Sequence, residues 1–207
     1  INPAVSDFIQ RAITQSAADG AVALILELDT PGGLVSATKD IIQAMLNASV
    51  PIVVYVSPQG AWAGSAGTFI TIAGHVAAMA PGTSIDAAHP VGIGVPGGGE
   101  GEGGEEQKKQ QDVASEKAEN LLAAFIESIA KERDRNVEWA SQAVRNSVAV
   151  TADEALKLHV IDFVAANQAE LLTKLEGRKV KVGGAERTLA VAGAEVRRIE
   201  MSMIQRF

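Results

Sequence analysis

The chain has 207 residues, a formal net charge of -7, 47% hydrophobic residues and 4% aromatic residues. That length and apolar content suit one domain with a sizeable core built from Ala, Val, Ile and Leu. The acidic balance argues against a nucleic-acid or anionic-membrane surface, and the absence of cysteine excludes disulfides, thiolate metal sites and Cys nucleophiles.

Residues 3–19 place Val5, Phe8, Ile9, Ala12 and Ile13 at helical spacing. The run Ala21 to Leu28 reads as a buried parallel strand, broken sharply by Asp29-Thr30-Pro31-Gly32-Gly33. Helical spacing returns over 35–48 through Ile41, Ile42, Met45 and Leu46, and Pro51 to Val56 reads as a second buried strand. The Gly/Ala-rich stretch Gly60 to Gly74 suggests a buried helix, followed by a strand at Val76 to Met79 and a turn at Pro81-Gly82-Thr83. Alternating strands and helices predict an α/β domain with a parallel sheet.

Between Val91 and Gly104 eight of fourteen residues are glycine. Little apolar surface is available there to offset ordering entropy, so 90–112 is expected to be a mobile loop that gates access to a site. Asp112 to Arg133 is expected to be a helix with a buried stripe of Leu121, Leu122, Phe125, Ile126 and Ile129. Thr151 and Glu154 form a capping box for a helix to Leu158. Val160 to Val164 is expected to be a strand. A β hairpin is expected within about 178–201, with Gly183-Gly184 at its turn, and Val196 to Met201 could add a strand.

Two glycine-rich elements carry chemistry. Glycines after a strand, as in Asp29 to Gly33, let backbone N–H groups approach a ligand closely. In Ala63-Gly64-Ser65-Ala66-Gly67 a serine among small residues at a turn into a helix can expose its hydroxyl, with the next N–H facing a developing oxyanion. Alone, a Gly-Gly turn after a strand is mostly structural, and a lone small-Ser-small motif is a tight helix–helix contact at least as often. A serine needs a neighbouring base. Lys117 lies four residues before Leu121 and eight before Phe125, so it shares the face expected to be buried, where desolvation would free the neutral amine. The plain alternative is a lysine snorkelling at the edge of an apolar stripe. Histidine is the usual partner of a catalytic serine, and His89 follows Ser65 by 24 residues. Lys108 and Lys109 look solvated, and Lys131 lies too far along its helix. His75 sits in an apolar segment and reads as structural. Trp62 and Phe69 flank the serine; both read as core, though Trp62 could line a substrate pocket.

LDTPGG, then AGSAGT, MAPGTSI and a late EAL segment leading to VID, in that order, resemble the ClpP-class serine proteases, most closely the NfeD family of membrane-bound proteases, with signal peptide peptidase A more distant. The resemblance spans about residues 3–165. It implies a ClpP/crotonase-like spiral of βαβ units with helices packed around the sheets, in a single domain over 1–207. It implies Ser65 as nucleophile, Lys117 as general base in a Ser–Lys dyad, and an oxyanion hole from the N–H groups of Gly33 (Gly32 as second choice) and Ala66. His89 is the alternative base, as in a Ser–His–Asp triad whose carboxylate falls near Asp153 or Glu154. No metal or cofactor is implied. The implied substrates are peptides or proteins, hydrophobic and membrane-associated, with a stomatin-like membrane protein as partner, no nucleic acid, and a homodimer or higher homo-oligomer.

The chain departs from the family at His159, where glycine is usual, and at Asp86, where a small residue is usual; Asp86 would partner His89 or act on Lys117. The family's strand before residue 3 is not in this sequence, which starts at Ile1, so an upstream targeting segment is expected in the whole protein. The whole protein is expected to be membrane-anchored, with this part extracytoplasmic. The rival readings are a crotonase-type acyl-CoA enzyme, which would share the oxyanion hole but work with carboxylates, and a catalytically weak scaffold for membrane-protein assembly.

Overall fold

The computed structural model describes residues 1–87 and 105–201, with only the backbone described for 105–112. The apolar run of the second strand explains the architecture. β2 (Ile52–Val56) is buried along its whole length. Its alternate side chains enter two different cores: Ile52, Val54 and Val56 in one, Val53 and Tyr55 in the other. A strand covered on both faces cannot alternate apolar with polar residues, hence the unbroken IVVYV.

β2 sits inside a parallel sheet of order β1-β2-β4-β7, with β1 at Leu24–Leu28, β4 at Val76–Met79 and β7 at Phe163–Val164. The expected strand over 160–164 is therefore limited to its last two residues. The larger core lies beneath α1 (Pro3–Ala18), α2 (Val35–Leu46), α3 (Ala66–Ala73), α4 (Glu105–Glu132), α5 (Val137–Asn146) and α6 (Ala152–Lys157). The smaller core is closed by α7 (Gln168–Leu175) and by the hairpin β8 (Lys179–Val182) and β9 (Ala185–Thr188). Gly183 and Gly184 at the hairpin turn both have positive φ, as a two-residue turn demands.

The stretch from Gly60 to Gly74 is not all helix. It begins with a short strand, β3 (Trp62–Gly64), and only then enters α3. β3 pairs in parallel with β5 (Ser84–Asp86), and β5 pairs antiparallel with β6 (Ala149–Thr151). These three-residue strands are too short to show a period in sequence. Residues 196–201 form no strand.

α4 starts at Glu105, earlier than the expected Asp112, so residues 105–112 of the expected loop are helical; residues 88–104 lie outside the described residues. The buried face of α4 is also turned from the expected one. Ala123, Ile126, Ile129 and Ala130 are buried, Leu122 and Phe125 are half-buried, and Leu121 is 71% exposed. Two arginines just past its end explain how α4 is anchored. Arg133 donates from Nε to the Ala73 carbonyl at 2.8 Å. Arg135 donates to the carbonyls of Ile72 and Gly74, both at 3.0 Å, and to Asp162 at 3.1 Å. Together they satisfy the carbonyls at the C-terminal end of α3, where cations are favoured.

Candidate active site

In open parallel sheets ligands bind beyond the carboxyl ends of the strands, and three ends converge here. β1 runs out into the turn 29–33, β3 into Ser65, and β5 ends at Asp86. The turn and β3 are knitted together. Thr30 N–H donates to the Trp62 carbonyl at 2.9 Å, Gly64 N–H donates to the Thr30 carbonyl at 2.9 Å, and Trp62 N–H donates to the Asp29 carboxylate at 3.2 Å.

Ser65 occupies the N-cap of α3 with φ 49° and ψ -105°. A non-glycine residue in that region costs of order 1–3 kcal/mol, so the surroundings must hold it. Its N–H donates to the Asp86 carbonyl at 2.8 Å, and its own carbonyl accepts from Thr68 N–H at 3.0 Å. The small neighbours are required by close packing. A Cβ on Gly64 would lie 2.9 Å from the Pro31 carbonyl oxygen, and one on Gly67 would lie 2.8 Å from Thr30 Cγ2. The Ser65 hydroxyl makes no capping bond to α3 and its residue is only half-buried, so it stands clear of the helix. α3 itself is buried at every residue, and its N-terminal end presents amide dipoles toward the serine.

Gly32 faces the serine directly: a Cβ there would lie 2.9 Å from Ser65 Cβ and 3.4 Å from Ser65 Oγ. Its N–H is committed to Thr30 Oγ1 at 3.1 Å. Gly33 is exposed, and Ile1 lies across it, with the Ile1 carbonyl accepting from Leu34 N–H at 2.9 Å. Ala66 is the first residue of α3, a position whose N–H has no acceptor within its helix. The sequence thus brings Gly32, Gly33, Ser65 and Ala66 into one corner.

Lys117 is placed otherwise than its expected burial. It is exposed on α4, in a row with Val113, 65% exposed, and Leu121, 71% exposed. Lower on the same helix Phe125 meets Phe69 of α3, with ring centroids 6.0 Å apart. His89 lies outside the described residues. Burial pushes the half-buried Asp86 carboxyl above its ordinary value. Glu154 is engaged in its capping box, accepting from Thr151 N–H at 2.9 Å, and both it and Asp153 are exposed.

His75 is structural. Its Nδ1 accepts from Ile52 N–H at 3.0 Å, which fixes a neutral ring, and burial together with Arg133 and Arg135 brings its pKa down to about 4. Trp62, expected in the core, is 53% exposed three residues before the serine. Leu34 and Val35, 53% and 44% exposed, follow the glycine turn directly. Three residues of strand, with burial running exposed, buried, buried, are too few for a sequence period to reveal that Trp62 faces outward. No group of residues suited to hold a metal ion occurs among the described residues.

Comparison with known proteins places these features in a lineage. The family model for the NfeD1b N-terminal domain matches residues 1–188. The chain is 40% identical over 193 residues to the membrane-bound protease PH1510 of Pyrococcus horikoshii, covering 92% of this chain and 41% of that protein. It is 24% identical over 203 residues to the membrane protein NfeD1b of Bacillus subtilis, covering 92% and 42%. The chain therefore spans less than half the length of these curated relatives. Two solved structures of the 1510-N membrane-bound stomatin-specific protease superpose closely. A lysine-to-alanine variant in complex with a substrate peptide gives a TM-score of 0.85 at 37% identity, covering 100% of this chain and 90% of that one. A serine-to-alanine variant gives 0.84 at 37% identity, covering 98% and 93%. The architecture is the ClpP-like α/β fold of that protease domain. The chain belongs to the NfeD1b N-terminal domain family.

Proposed function

We propose that this chain is the protease domain of a membrane-bound serine endopeptidase, with Ser65 as nucleophile and Lys117 as general base. The observation that carries the reading is Ser65 itself: a left-handed residue at the head of a fully buried helix, its hydroxyl free of the cap, facing Gly32. A serine held at that cost of order 1–3 kcal/mol, with its Oγ presented rather than used locally, is what nucleophilic catalysis requires.

Lys117 lies on α4, which packs against α3, the helix that Ser65 caps. Arg133 meets the end of α3 at Ala73, and Phe125 meets Phe69. The solved relatives in which a serine or a lysine was replaced by alanine fit the same pairing.

The chemistry is acyl transfer. Lys117 Nζ takes the Ser65 proton as Oγ bonds to the scissile carbonyl carbon. The N–H groups of Gly33 and Ala66 stabilise the resulting oxyanion. The C–N bond then breaks as the leaving amine takes the proton from Nζ; water, deprotonated by the now neutral Lys117 Nζ, attacks the ester carbon, and the C–O bond breaks as that proton returns to Ser65 Oγ. An exposed lysine is a poor setting for this role until water is removed. The exposed Val113, Leu121, Trp62, Leu34 and Val35 offer apolar surface to a substrate that would remove it. Hydrophobic, membrane-associated segments are the substrates proposed, with a stomatin-like protein as partner, since that is the specificity given for the solved relative. We assign the chain to the extracytoplasmic side and to a homo-oligomer.

The test compares wild type, Ser65→Ala, Lys117→Ala and His89→Ala on an unstructured apolar peptide. Ser65→Ala is expected to abolish cleavage. Lys117→Ala is expected to lower kcat by about 10²- to 10⁴-fold, the usual contribution of a positioned base. Full activity in Lys117→Ala with loss in His89→Ala would transfer the base to His89. Cleavage by Ser65→Ala at the wild-type rate would overturn the serine-protease reading, and acyl-CoA binding with no dependence on Ser65 would favour the crotonase-type reading.

A further inference from the structure

Thr68 and Thr71 are both fully buried in α3, and their hydroxyls are used in different ways. Thr71 Oγ1 donates to the Gly67 carbonyl at 2.7 Å, four residues back in the same helix. This is the ordinary local bond of a helical threonine. Thr68 Oγ1 reaches out of its helix. It lies 2.9 Å from the Ala63 carbonyl on β3 and also within bonding distance of the Asp86 carbonyl on β5. A hydroxyl has one proton, so it donates to one of these carbonyls at a time and ties α3 to either strand end.

Both carbonyls belong to the machinery that holds the serine. Asp86 O also accepts from Ser65 N–H, and Ala63 lies two residues before Ser65 on the strand that delivers it. The Thr68 N–H completes the ring by donating to the Ser65 carbonyl. β3 and β5 are neighbours in register, Gly64 opposite Asp86, so this one side chain spans the point where both strands end at the site.

We infer that Thr68 is a positioning residue: its hydroxyl holds the left-handed conformation of Ser65, and so the aim of Oγ, without touching substrate. The inference rests on Ser65 being the nucleophile. A displacement of about 1 Å at a reacting atom costs on the order of 100-fold in rate, so the effect belongs in the rate of bond formation and not in substrate affinity.

The experiment uses the full-length protein and a fluorophosphonate probe, which bonds covalently to an activated serine. Intact mass gives the maximal labelling rate and the half-saturating probe concentration. Apolar-peptide cleavage gives kcat and KM for the same variants. Thr68→Val is expected to slow maximal labelling and kcat by about 10- to 100-fold, with half-saturation and KM unchanged. Thr68→Ser is expected to restore the wild-type rate. Thr71→Val, which also removes a buried hydroxyl from α3, is expected to label and cleave as wild type. If Thr68→Val does not fold, Thr68→Ala against Thr68→Ser isolates the hydroxyl, since both lack the methyl group.

Wild-type labelling at Ser65 with an equal rate in Thr68→Val would overturn the inference alone. So would an equal fall in Thr71→Val, which would mark the effect as general loosening of α3. Absence of labelling at Ser65 in wild type, with Ser65→Ala as the blank, would overturn both this inference and the protease reading.

Discussion

The two halves of the candidate site are built to different degrees. The nucleophile half, from the turn at 29–33 through β3 to Asp86, is closed by backbone hydrogen bonds, and Gly32, Gly64 and Gly67 leave no room for a side chain. The proposed base half, the upper part of α4, presents Lys117 between two exposed apolar residues. Yet the same helix is firmly held lower down by Ile126, Ile129 and the two arginines beyond it. The contrast teaches that backbone geometry alone can position a serine and its oxyanion donors, whereas an amine base also needs a dry environment. On the proposed assignment of Lys117 as base, that environment would be supplied by something laid against α4, and an apolar substrate segment answers the need.

The sharpest way to test the contrast lies within α4. Ile126 is fully buried, and Ile126→Ala should cost about 2–5 kcal/mol of stability through lost burial and the cavity left behind. Leu121→Ala should change stability by less than about 0.5 kcal/mol, as expected for an exposed position, and should instead raise KM for apolar peptides. Denaturant melts and peptide kinetics on the two variants check both statements. A large stability loss in Leu121→Ala would show that this face is already covered in the free protein.

A smaller effect comes from beneath the nucleophile half. His75 has its pKa lowered to about 4 by burial and by Arg133 and Arg135, against about 6.5 in the unfolded chain. Between these values the unfolded state takes up a proton that the folded state refuses. Stability should therefore be fully present above about pH 6.5 and fall as the pH drops toward 4. The shift corresponds to roughly 2–3 kcal/mol once partial exposure is discounted. His75→Gln keeps a hydrogen-bond acceptor without the titration, and its stability should fall less steeply than that of wild type over this window. Parallel pH curves for the two proteins would contradict the assignment.

The smallest effect concerns a departure from the family pattern. His159 has φ 58° just past α6, the left-handed position where glycine is usual, and it is exposed. His159→Gly should raise stability by about 1 kcal/mol, the cost of that conformation for a residue with a Cβ, with no change in kcat.

Much of the nucleophile half was legible in the sequence because its constraints are local. Buried strands announce themselves as apolar runs, and glycines beside a serine mark close packing. β3, β5 and β6 were not legible, since three residues carry no period. α5 did carry a signal, with Asn136 as its cap and Trp139, Ala140, Ala143 and Val144 buried at helical spacing, but its alanines weaken the apolar contrast. The start of α4 was hidden because Glu, Gln and Lys favour helix without showing an apolar face. Leu121 and Leu122 are adjacent and were both expected in the buried stripe, but the face that carries Ala123, Ile126 and Ala130 leaves Leu121 in solvent. Nothing in the sequence singles out Arg133 and Arg135, and only the carbonyls of α3 reveal their purpose.

The central claim is that Ser65 forms a covalent acyl-enzyme. Rapid quenching of the full-length protein during cleavage of an apolar peptide, followed by mass analysis of its fragments, tests this most directly. The account predicts an acyl adduct on the fragment carrying Ser65, absent in Ser65→Ala, which should not cleave. Peptide cleavage by Ser65→Ala at the wild-type rate, or an adduct on another residue, would contradict it.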